Sequence, residues 1–144
     1  RFLLRTRRSA RVASLENSVG ASVAGSVEFS VPGRDLSEMI LESLSREVAE
    51  ELGLKSGEFT VTPLACAREM VRGNRPQLFA FVTTRLDREQ VAARISSLQE
   101  SRREHSEFRF IPLPDGRLGE SERATFDFEG KMCYYLLEEW LAPR

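Results

Sequence analysis

Glu47, Glu50 and Glu51 place three carboxylates within five residues of the run Arg46-Glu47-Val48-Ala49-Glu50-Glu51-Leu52-Gly53-Leu54. The run has helical spacing. A helix advances about 100° per residue, so positions i, i+3 and i+4 share a face and the three acids point the same way. Like charges so arranged repel by roughly a few tenths of a kcal/mol per pair. Such a cluster is kept most readily when a cation sits against it, and oxygen-only donors suit a hard divalent ion. The chemistry indicated is that of Mg²⁺ and phosphate.

Cationic side chains complete the inventory. Arg5, Arg7, Arg8 and Arg11 form a basic patch near the start of the chain. Arginine is well shaped to grip phosphate oxygens, although a solvated strand edge accounts for the same residues. Arg68, Arg72 and Arg75 flank a Gly73-Asn74-Arg75-Pro76 turn, where they either bind phosphate or base or are simply solvated. His105 is the only histidine and sits in a charged run, which reads as an exposed side chain. Cys66 and Cys133 have no activating base nearby in sequence and read as buried small apolar residues.

The elements that must position these groups follow from periodicity. Leu36, Ile40, Leu44 and Val48 recur at every fourth position, with Leu41 and Leu52 beside them, and predict a helix over 36–52. Asp35 or Ser37 can cap its start, and Gly53 can end it in a left-handed turn. Arg46 and Glu50, spaced i, i+4, can pair. Phe2–Leu4 reads as a strand, and residues 22–28 as a short strand pair or turn. Residues 29–35 read as a loop. Two strands are expected over 59–63 and 64–71, and a buried one over 77–84. A polar helix is expected over 87–104 on the stripe Val91, Ile95, Leu98. A strand over 108–113 stops at Pro112 and Pro114. After a further loop, residues 125–141 end in an amphipathic helix carrying Tyr134, Leu137, Trp140 and Leu141. Phe79, Phe81, Phe108 and Phe110 are assigned to the core. Strands alternating with helices suggest a mixed sheet between helical layers.

With 144 residues, one domain over 1–144 can build a core without disulfide help. The net charge of -1 gives no global field toward nucleic acid or a membrane. Two separated cysteines argue against a disulfide scaffold or a thiolate zinc site and for a reducing, cytoplasmic setting. No apolar run reaches the roughly 18 residues of a membrane span, and no secretion signal is present. The chain opens on Arg1 and runs directly into Phe2-Leu3-Leu4, so some N-terminal residues are expected to be missing.

From Glu38 through Leu54 the chain matches E-x7-R-E-U-x-E-E-x-G-U, the larger part of the Nudix box G-x5-E-x7-R-E-U-x-E-E-x-G-U, where U is aliphatic. So many fixed positions are far more specific than a lone glycine motif. The first part departs from the pattern. Pro32 stands where the box glycine is expected, whereas Gly25-Ser26-Val27-Glu28 resembles the G-x-V-E that opens the box. That alignment puts a seven-residue insertion into the loop from Phe29 to Leu36. Loop insertions cost little, and this one, beside the acidic helix, is expected to shape substrate choice. Leu3-Leu4-Arg5 with Arg7-Arg8-Ser9 is similar to the first-strand ending of many Nudix proteins. Phe108-Arg109-Phe110-Ile111-Pro112-Leu113 resembles a late strand of theirs. The stretched box and the Arg72–Pro76 turn bear a looser likeness to Nudix proteins that split UDP-sugars.

The resemblance implies an α/β/α sandwich with a mixed β-sheet. It also implies hydrolysis of a nucleoside diphosphate linked to another moiety, such as a nucleotide sugar. Glu47, Glu50 and Glu51 would hold Mg²⁺, with Mn²⁺ as a substitute. Glu100, Glu104 and Glu107 are candidates for a further ligand, the last two preferred because they precede the late strand. Arg46 would orient a box glutamate, Glu38 would support the helix start, and Arg5, Arg8, Arg72 and Arg75 would meet substrate. The general base would be Glu47, Glu51 or a glutamate outside the box. Members of the family often dimerise, so a homodimer is a further expectation. The competing reading is a non-catalytic Nudix-type module that senses nucleotide ligands. An RNA-directed enzyme is disfavoured by the near-neutral charge and the lack of a long basic stripe.

Overall fold

Asp35 starts the helix that carries the acids. Its carboxylate accepts from Ser37 N at 2.7 Å and Glu38 N at 3.3 Å, satisfying two of the unpaired amides of the first turn. These bonds hold its carboxyl below its ordinary pKa, with the Ser37 amide contributing most. Helix α1 then runs Leu36–Leu52 and stops at Gly53, whose φ of 69° is left-handed. The computed structural model describes residues 2–8, 19–27, 35–70, 73–98, 105–113 and 117–142 of the chain.

Around α1 lie strands β1 (Phe2–Arg8), β2 (Val19–Gly20), β3 (Phe59–Glu69), β4 (Arg75–Thr84) and β5 (His105–Pro112). The other helices are α2 (Arg88–Ser96), α3 (Glu120–Ala124) and α4 (Phe128–Leu141). Two small sheets form, ordered β2-β1-β5 and β3-β4. Every described ladder is antiparallel, and the parallel contact is an isolated bridge between Val19 and Phe126. The architecture is mixed α/β.

Alternation along the strands sends neighbouring residues to opposite faces. Leu4, Phe108, Phe110 and Val82 pack with Val48, Leu52, Leu54, Val91 and Ile95, the stripe shared by α1 and α2. Leu3, Ile111 and Phe81 pack with Tyr134, Leu137 and Leu141 of α4. Helices therefore cover both faces. Val48 is 2% exposed and Leu52 5%, and burying a side chain of that size contributes about 1.5–3 kcal/mol.

Several expectations are corrected. Leu36 and Leu41 are exposed, and the buried residues of α1 are Met39, Ser43, Val48, Glu51 and Leu52. An every-fourth-residue repeat precesses, so Leu36 stands about 120° around the helix from Val48. β1 extends through Arg8, which puts Arg5, Arg7 and Arg8 within the ladder rather than after it. β3 is one strand, because a register shift between Pro63 and Ala65 absorbs the proline as a bulge. α2 ends at Ser96, where Ser97 Oγ and N both bond the Arg94 carbonyl; residues 99–104 lie outside the described part. α3 falls where a loop is expected. Residues 21–27 form an irregular segment, and residues 28–34 lie outside the described part. Trp140 is 41% exposed and packs on Phe81 in a tilted arrangement, with ring centroids 4.3 Å apart and planes at 56°.

Cys66 is exposed on β3 opposite Leu78, on a part of the ribbon where Ala67 and Arg68 are exposed as well. Cys133 is half-buried, and burial, reinforced by the Glu129 and Asp127 carboxylates, pushes its thiol up to about 11. At pH 8 it stays protonated and unreactive. A colorimetric thiol titration of the native protein is expected to find one fast thiol, and two after denaturation. Two fast native thiols would contradict this placement.

The end of α1 is clamped on α2. A Cβ on Gly53 would lie 2.7 Å from the Arg94 carbonyl oxygen, so both space and φ demand glycine. Nearby, Arg94 pairs with Glu58, which also accepts from Lys55 N at 2.8 Å. The Lys55 amide first, then Arg94, hold the Glu58 carboxyl below the ordinary range. Its contribution to stability is present above the unfolded pKa and fades as pH falls through the folded value. Gly53→Ala is expected to cost at least about 2 kcal/mol by chemical denaturation, from left-handed strain plus the clash.

Candidate active site

The three glutamates of α1 are graded by depth. Glu51 is 6% exposed, the Glu47 side chain 18%, and Glu50 is exposed. A buried carboxylate needs hydrogen-bond donors, and Glu51 finds one in the main chain of the 21–27 segment. Ala24 N donates to Glu51 Oε1 at 3.1 Å. Next to it, Gly25 lies directly against Glu47. A Cβ there would stand 2.0 Å from Glu47 Cδ and 2.3 Å from Oε1. Arg46 closes the arrangement: its guanidinium donates to Glu47 Oε1 at 3.2 Å and to the Ser26 carbonyl at 3.4 Å.

The 22–27 segment is thus a strap across the acidic face of α1. Gly25 meets Glu47 without a side chain, and Pro32 lies outside the described residues. Arg46 reaches Glu47 as the resemblance implies, and the Ser26 carbonyl is a second partner that spacing did not foreshadow. Glu38 is exposed in the first turn of α1, where its amide donates to Asp35.

The other candidates are scattered. Arg5 and Arg8 belong to β1, opposite Arg109 and His105, and their side chains lie outside the described part, as does that of His105. Arg72, Glu100 and Glu104 lie outside the described residues altogether. Arg75 is exposed at the start of β4, opposite Glu69. Glu107 accepts from Arg109 Nε at 2.6 Å along its own strand. Among the described residues no three His, Cys, Asp or Glu side chains converge as the ligands of one metal ion. Neither Glu47, Glu50 and Glu51 by themselves nor Glu107 with them forms such a set here.

The donor chemistry nonetheless fits a hard divalent cation. Glu47, Glu50 and Glu51 offer only carboxylate oxygens, and the strap orients two of them through main-chain or guanidinium partners, as outer-shell groups orient metal ligands. A separate hollow of about 310 Å³ lies between α3 and α4, lined by Arg123, Phe126, Lys131, Tyr134, Tyr135 and Glu138, and none of the α1 glutamates lines it. Three of its polar groups are tied together. Tyr134 Oη donates to Glu138 Oε1 at 2.7 Å and accepts from Leu118 N, and Arg123 takes the same Glu138 oxygen at 2.7 Å.

Gly25 was singled out in sequence; the residues missed are those around it. Ala24 and Ser26 contribute only main-chain atoms, which carry no residue signature. Thr6 and Ser22 tie the strap to β1, and in a polar context they look like ordinary surface hydroxyls. Beside Gly25-Ser26-Val27-Glu28, a further signal was the small-residue run Ser22-Val23-Ala24-Gly25-Ser26, compact enough to lie flat on a helix.

The chain matches no family model and no curated protein. Among the described residues no helix is long and apolar enough to cross a membrane.

Proposed function

We propose that the chain is a Nudix-type pyrophosphohydrolase that cleaves the diphosphate of a nucleoside diphosphate linked to another moiety, a nucleotide sugar or a relative of one. The observation that carries this reading is the strap: Gly25 and Ala24 press on Glu47 and Glu51 within an otherwise intact E-x7-R-E-U-x-E-E-x-G-U run. Glu47, Glu50 and Glu51 would hold the ion. Mg²⁺, or Mn²⁺ in its place, supplies charge neutralisation and acidifies water when bound. Arg46 fixes the Glu47 carboxylate, and the Ala24 amide fixes that of Glu51. One of these two acids accepts the proton of the attacking water. Phosphate oxygens fall to arginines, with Arg5, Arg8, Arg72 and Arg75 as the candidates. The layered fold, with helices on both faces of antiparallel sheets, is compatible with a Nudix-type sandwich.

A second reading is a nucleotide-binding module without turnover. It is favoured by the engagement of Glu47 with Arg46 and of Glu51 with Ala24, which occupies oxygens a metal would need. Mononucleotide release from a panel of nucleoside triphosphates, UDP- and ADP-sugars, dinucleotides and coenzyme A, with and without Mg²⁺, separates the two. Metal-dependent product from one class supports the hydrolase and names its substrate. Tight binding without product over a long incubation supports the module.

A further inference from the structure

Thr6 is a polar side chain buried to 2% in the middle of β1, which calls for a partner and a reason. Its Oγ1 donates to the Ala21 carbonyl at 2.9 Å. The strap answers in kind: Ser22 Oγ donates to the Leu4 carbonyl. Two hydroxyl bonds running in opposite directions between residues 4–6 and 21–22 fasten the start of the strap to β1. Immediately beyond this fastening, Ala24 N meets Glu51 and Gly25 meets Glu47. Residue 23 is anchored as well, since Val23 packs with Leu4 against the cluster of Val48 and Leu52.

We infer that Thr6 and Ser22 form a clasp that sets the positions of the Glu47 and Glu51 carboxylates by holding residues 24–26 against α1. Both are positioning residues for the hydrolysis proposed above, and the inference rests on that reading only for its effect on turnover. Ala24 and Gly25 follow Ser22 by only two and three positions, so slack at one end is passed to the other. With the clasp open, Ala24 N leaves Glu51, and Glu47 loses the surface that confines it.

The test uses the full chain with Thr6→Val, Thr6→Ser and Ser22→Ala. Two readouts are taken: amide exchange of Ala24 in the metal-free protein, and kcat and KM on the substrate found in the panel. In Thr6→Val the Ala24 amide is expected to exchange at least about tenfold faster. Its kcat should fall about 10- to 100-fold, the usual cost of losing an outer-shell partner, with KM held within about twofold. Thr6→Ser should restore both, and Ser22→Ala should move both in the direction of Thr6→Val. A merely structural hydroxyl would lower stability without singling out Ala24. If Thr6→Val does not fold, Ser22→Ala, at a half-exposed position, decides alone. The inference is overturned if Ala24 exchange stays at the wild-type rate in the folded variants, or if Thr6→Ser fails to rescue. If wild type turns over nothing, the hydrolase reading fails, while Ala24 exchange still decides whether the clasp holds the strap.

Discussion

Glu50→Gln and Glu51→Gln are each expected to lower kcat by on the order of 10²-fold or more while the chain stays folded, because each removes one full charge from the set proposed to hold the ion, worth several kcal/mol. The fold should survive for different reasons at the two sites. Glu50 is exposed, so an isosteric amide disturbs no packing. Glu51 is buried, but the amide oxygen of glutamine can still accept from Ala24 N. Without metal, removing one of three like charges relieves repulsion of roughly a few tenths of a kcal/mol, so the thermal midpoint should hold or rise slightly. With Mg²⁺ and a nucleotide present, wild type should gain stability that the variants do not. Steady-state kinetics and paired melts read both effects. Wild-type turnover in both variants would remove α1 from the chemistry.

Gly25→Ala carries the second large effect. Gly25 is not among the described glycines with positive φ, so alanine suits its backbone; what excludes a side chain is the Glu47 carboxylate at 2.0 Å. A methyl group there must push Glu47 to another rotamer and off Arg46. Because the displaced group is a flexible side chain, stability should change little, within about 1 kcal/mol, while turnover falls about 10- to 100-fold. Gly119→Ala, at the N-cap of α3 where a Cβ would meet only Ser121 Oγ at 4.0 Å, is the control for turnover and should leave it unchanged. Full turnover in Gly25→Ala would mean that Glu47 acts from more than one position.

What could be read in the sequence was what side chains encode locally. The bounds of α1 were legible because Asp35 and Gly53 punctuate it. The face shared by Glu47, Glu50 and Glu51 was legible from spacing, but their graded burial was not, since it depends on which segment lies across them. The length of β3 was hidden because Pro63 looks like a stop until the bulge is seen. α3, with five residues, is too short to show a period. The end of α2 at Ser96 was obscured by a polar, charged continuation that favours neither helix nor loop strongly. The exposure of Cys66 follows from the reach of the ribbon beyond its covering helices, a tertiary fact. The strap was hidden for the most basic reason: it acts through amides and carbonyls, and only the absence of a Gly25 side chain leaves a trace.

The most direct test of the central claim is Mn²⁺ binding followed by electron paramagnetic resonance, with a non-hydrolysable nucleoside diphosphate analogue present, for wild type and Glu50→Gln side by side. The account predicts that wild type depletes the free-ion signal and that Glu50→Gln needs at least about tenfold more ion to do so. Equal depletion by both proteins, or none by either while the analogue is bound, would contradict it.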